Sequence, residues 1–73
     1  MNVPVMLAAK LIGTSADSLR WALQKERVDI GWAIKKSQRW MYKISPKKLA
    51  DYTGEPLEKI NQLVADYRKG VKI

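Results

Sequence analysis

No cysteine and no histidine occur among the 73 residues of this chain. That removes disulfide bridges and the Cys/His metal centres on which many very small domains depend. It also removes the commonest general base. A chain of this size lies near the lower limit of what folds without such staples, so an apolar core has to hold it. The hydrophobic content of 47% is enough to build one. The expectation is a single domain over residues 1–73. The absence of cysteine fits a reducing compartment.

The apolar pattern divides the chain into helices and a hairpin. Val5, Ala8, Ala9 and Ile12 recur at helical spacing, and Gly13 suits the position just past a helix C-terminus. Ser15 is a good N-cap for a second helix, in which Leu19, Ala22 and Leu23 form one stripe and Lys25 and Arg27 lie near the end. The tight Gly13-Thr14-Ser15 turn makes the pair a helix-turn-helix over about residues 5–27. After Gly31 the composition turns to β-formers: Trp32, Ala33 and Ile34, then Trp40, Met41, Tyr42 and Ile44. These predict a hairpin over about residues 31–45, with some of Trp32, Ile34, Trp40, Tyr42 and Ile44 packed against the helices.

Ser45 and Pro46 are an N-cap and a first helical residue, and they open a short helix over about 46–53 that stops at Gly54. A last helix is expected over about 55–69, with Leu57, Ile60, Leu63 or Val64, and Tyr67 on one face. That face either closes the core or meets a partner protein or a second copy. The fold class is therefore α+β, mainly helical: a small winged helix-turn-helix, with the hairpin as the wing.

Charge is the first functional clue. Lysine and arginine number 14 against 7 acids, a net of +7. From Ala16 to Lys48 nine basic residues face three acids, whereas from Leu49 to Ile73 four face four. A polarised middle and a balanced end point to a polyanionic partner, nucleic acid before membrane.

Two constellations carry that charge. On the second helix, turning Leu19, Ala22 and Leu23 inward places Ser18, Trp21 and Lys25 outward, with Asp17, Arg20 and Gln24 beside them and Ser15 at the N-cap. Such side chains read base edges or hold phosphates in a major groove. Trp21 either stacks against the nucleic-acid backbone or fills a core crevice beside the wing. The second constellation is the wing tip, Lys35, Lys36, Ser37, Gln38 and Arg39, with three cations and no acid. A basic loop there reaches across a phosphate backbone into a neighbouring minor groove. Lys43, Lys47 and Lys48 are further phosphate contacts. Lys47 and Lys48 stand in the first turn of a helix, where the dipole favours acids instead.

Other classes find little support. The acids are scattered, and no nucleophile motif or glycine-rich phosphate loop occurs, so no enzyme and no cofactor are expected. No segment reaches the roughly 18 apolar residues that cross a bilayer, and no signal-peptide pattern is present, so a cytoplasmic protein without a membrane partner is expected.

With these residues identified, a resemblance follows. The run VPVMLAAKLIGTSADSLRWAL is similar to the opening of MerR-type and excisionase-type winged helices, through Ala8-Ala9, Leu11-Ile12-Gly13, Ser15 and Leu19-Arg20-Trp21. The later GWAIKKSQRWMYKISPKKLADYTG resembles small DNA-binding proteins of phages and mobile elements in Gram-positive bacteria. The likeness covers about residues 3–54 and contains no MerR-type dimerisation coiled coil or effector domain. It implies double-stranded DNA as partner and no small-molecule effector. Ser18, Arg20, Trp21 and Lys25 would then lie at the major groove, and Lys35, Lys36 and Arg39 on the wing. It further implies an excisionase that binds attachment-site DNA cooperatively, bends it and works with an integrase. A phage transcriptional regulator with the same DNA-binding parts is the alternative. A protein-interaction module using its basic face on an acidic protein is the alternative of another class.

Overall fold

The fold is taken from a computed structural model that describes residues 2–70, so Met1 and residues 71–73 of the expected domain lie outside the described residues. Four helices and one two-stranded antiparallel hairpin follow in the order α1 (Val5–Ile12), α2 (Ala16–Gln24), β1 (Gly31–Lys36), β2 (Arg39–Ile44), α3 (Pro46–Thr53) and α4 (Leu57–Arg68). The class is α+β. No helix is long and apolar enough to cross a membrane among the described residues.

Local chemistry sets the boundaries. Helix α1 ends at Gly13, whose φ of 91° is open to glycine at little cost. The amides of Gly13 and Thr14 both donate to the Ala9 carbonyl, each at 2.9 Å, satisfying an acceptor the helix leaves free. Ser15 caps α2 by accepting from the Ser18 amide at 3.1 Å. Ser45 caps α3 in the same way through the Lys48 amide at 3.3 Å, with Pro46 in the first turn.

Three expectations need correction. Helix α2 stops at Gln24 rather than running on towards residue 27, because Glu26 takes a φ of 55° and turns the chain away from the helix axis. Helix α4 starts at Leu57, since Pro56 is extended (ψ 142°) and serves as the cap. The polar tip of the hairpin is also shorter than the sequence suggests. Only Ser37 and Gln38 form the turn, with Ser37 at φ 59°, while Lys35, Lys36 and Arg39 belong to the ladder.

The core is built from Val3, Leu7, Ala8, Ala9, Leu19, Leu23, Ile30, Ile44, Leu49, Ala50, Ile60 and Val64. Burying one Leu or Ile side chain contributes roughly 1.5–3 kcal/mol, so this cluster is the main source of cohesion. Ile60 and Val64 are fully buried, so α4 closes the core. Leu57 and Tyr67, expected on the same face, lie largely outside.

The register pairs Gly31 with Ile44, Ala33 with Tyr42 and Lys35 with Trp40 on one face. Ala33, Tyr42 and Ile44 from that face pack on the helices. Trp32 and Ile34, expected as candidates for the same role, point the other way. At the base of the hairpin the N-terminal segment covers the outer edge of β2. The Val3 amide donates to the Ile44 carbonyl (3.1 Å), and the Asn2 side-chain oxygen accepts from the Ile44 amide (2.8 Å). Arg68, at the end of α4, donates to the Asn2 carbonyl at 3.1 Å and ties the last helix to the same corner.

Candidate nucleic-acid interface

Helix α2 buries Leu19 and Leu23 and turns a polar face outward. Asp17, Ser18, Trp21 and Lys25 are exposed on it, and Arg20 and Gln24 are partly covered. At its start the Ser15 hydroxyl donates to the Ser18 hydroxyl at 2.9 Å, so both serines stand at the exposed N-terminal turn. Arg20 is held by Asp17 one turn away, with Nη1 to Oδ1 at 2.9 Å. Both groups are accessible enough for water to screen the pair, so it orients the guanidinium more than it stabilises the fold.

Trp21 is 53% exposed, so it does not fill a core crevice beside the wing. The Arg27 guanidinium sits 5.9 Å from its ring centroid, within cation–π range. Arg27 is a member of this face that the sequence did not reveal. Helical spacing gives Trp21 no neighbour there; the chain reversal at Glu26 brings Arg27 back, with its amide donating to the Ala22 carbonyl at 2.8 Å. The basic run after the apolar stripe was the one available signal.

Gln24 leads from the helix to the hairpin. Its side-chain amide donates to the Tyr42 hydroxyl at 2.7 Å, joining α2 to the inner face of β2. A hydrogen bond of this kind contributes about 1 kcal/mol net, and it fixes the angle between the two elements. The Gln24 amide nitrogen is thus engaged with another element, whereas the Arg20–Asp17 and Ser15–Ser18 bonds lie within α2 and its cap.

The hairpin extends away from that junction. Six residues per strand at about 3.3 Å each carry its turn roughly 20 Å from the base. Lys36 and Arg39 form the last rung and Lys35 the rung before it, with Ser37 and Gln38 beyond; all five are exposed. No acidic residue occurs between Asp29 and Asp51, so nothing within the hairpin offsets these cations. Lys43 and Lys47 are also exposed. Lys48 differs, because its ammonium lies 3.0 Å from Asp29 in an exposed ion pair.

A polar helix face carrying Arg20, with Lys25 and Arg27 just past its end, and a basic projecting hairpin are therefore joined in one body. Comparison of the chain with protein-family models, with curated proteins and with solved structures finds no match.

Proposed function

We propose that the chain is a small winged helix-turn-helix protein that binds double-stranded DNA in a sequence-specific way. Helix α2 enters the major groove, and the hairpin acts as the wing over the neighbouring minor groove. The observation that carries this reading is the junction of the exposed α2 face with an acid-free hairpin through the Gln24–Tyr42 hydrogen bond. A helix with a polar outer face fits a major groove, and a two-stranded ribbon with cations on its last rungs fits a phosphate backbone.

Roles follow from chemistry. Arg20 is the main reader of base edges, with Ser18 and Asp17 beside it, and Trp21 and Arg27 lie against the sugar-phosphate backbone. Lys25, Lys35, Lys36, Arg39, Lys43 and Lys47 supply phosphate contacts. Lys48 joins them once it releases Asp29.

The biological role we propose is that of an excisionase of a phage or mobile element, which binds neighbouring sites, bends the DNA and assists an integrase. This rests on the resemblance of residues 3–54 to that group. Bending a site costs about 1–6 kcal/mol, and phosphate contacts from several copies offset it. The Arg20→Ala variant tests the assignment of α2. Its affinity for a specific site is expected to fall by about 1–3 kcal/mol, with a smaller loss on unrelated duplex. Equal losses on both DNAs would remove α2 from the groove.

A further inference from the structure

The face of the hairpin turned away from the helices has a composition that phosphate binding does not require. Three rungs form it: Trp32 opposite Lys43, Ile34 opposite Met41, and Lys36 opposite Arg39. Trp32, Ile34 and Met41 are 51%, 52% and 56% exposed, making a continuous apolar strip from the base to the middle of the ribbon. Lys36 and Arg39 stand at one end of the strip and Lys43 beside Trp32 at the other. Large apolar groups grouped in this way on a small protein mark an interaction surface.

We propose that this outer face is a docking surface for an acidic amphipathic helix of a partner protein. Charge selects the partner. Lys36, Arg39 and Lys43 rim the strip and the hairpin itself carries no acid; Glu26 and Asp29 line the hollow beside Trp32, where Asp29 is paired with Lys48. A second copy docking through the same face would set its own cations against these, because a two-fold contact is self-complementary. Asn2 and Val3 occupy the outer edge of β2 at its base, and a strand added elsewhere along an edge would leave the apolar strip uncovered. The face itself offers side chains only, which suits a helix. Two strands make a ribbon about as wide as a helix, and their length of roughly 20 Å matches about 13 helical residues. An apolar stripe at i, i+3, i+4 and i+7 would cover Trp32, Ile34 and Met41, and flanking Glu or Asp would meet Lys36, Arg39 and Lys43. This inference rests on the hairpin alone and stands whether or not α2 reads DNA.

The test uses the full chain and a synthetic helical peptide of about 13 residues with a leucine stripe flanked by glutamates. Isothermal titration gives the affinity, and amide chemical shifts of the labelled protein give the location. The expected result is micromolar binding that moves residues 31–44 and leaves α2 unmoved. It should weaken about tenfold in a Trp32→Ser, Met41→Ser double variant and by a similar factor in Lys43→Glu. The double variant changes exposed positions only, so its far-ultraviolet dichroism and its duplex binding should match the parent. A peptide with lysines in place of the glutamates should bind at least about tenfold more weakly. Four results would overturn the proposal: no binding of the acidic peptide; equal binding of the lysine peptide; full binding by the double variant; or loss of duplex affinity in the double variant as large as its loss of peptide affinity. The last would assign the face to nucleic acid.

Discussion

Gly31 shows how much one residue decides in a chain this small. It faces Ile44 across the first rung of the hairpin, and a Cβ there would run into the Lys43 carbonyl oxygen and lie 2.8 Å from the Ile44 Cα. Both obstacles are backbone and cannot rotate aside. Gly31→Ala is expected to cost roughly 1–3 kcal/mol. At about 4–8 °C per kcal/mol for a domain of this size, the melting temperature by circular dichroism should fall by roughly 5–20 °C. An unchanged melting temperature would mean that the two strands do not pair in this register. At the same scale the sequence concealed some positions. Val3 and Ile30 are core residues in irregular segments, where no periodicity points to them. Asn2 gives no signal of any kind, yet its side chain stands in for a strand at the edge of β2.

Among the elements, the helices were the most legible. Gly13, Ser15, Ser45, Pro46 and Gly54 mark their ends by chemistry that acts within a few residues: α1 stops, α2 starts, and α3 starts and stops where those residues place them. The hairpin was legible as a hairpin but not as to which face turns inward. Alternation identifies a buried face only where the other face is polar. Here Trp32, Ile34 and Met41 make the outer face as apolar as the inner one, so packing against α1 and α2 decides instead. The small size of Ala33 and the hydroxyl of Tyr42 aimed at Gln24 fit the inner side. The basic rungs carry their own prediction. Replacing Lys35, Lys36 and Arg39 together with Ala should reduce the log–log salt dependence of DNA binding by about 0.9 for each phosphate that these cations neutralise. An unchanged slope would show that the end of the hairpin does not meet the backbone.

Across the whole molecule, the asymmetry of charge in the sequence reappears as a division of labour. The neutral C-terminal part supplies α4, whose Ile60 and Val64 complete the core, while the cations gather between the end of α2 and the start of α3, most densely on the hairpin. Arg68 links the two parts through the Asn2 carbonyl, so the helix that closes the core also steadies the segment beside β2. The proposed account assigns α2 and the basic rungs of the hairpin to the duplex, with the apolar strip of Trp32, Ile34 and Met41 left for a protein. Its central claim is sequence-specific binding of double-stranded DNA. A gel shift of the full chain, on attachment-region DNA of the element it is proposed to serve and on a scrambled duplex of equal length near physiological salt, tests that claim most directly. The account predicts stepwise, saturable shifts on the first DNA at concentrations that leave the second free. Equal, weak binding to both would contradict it and leave a basic domain whose partner is a protein.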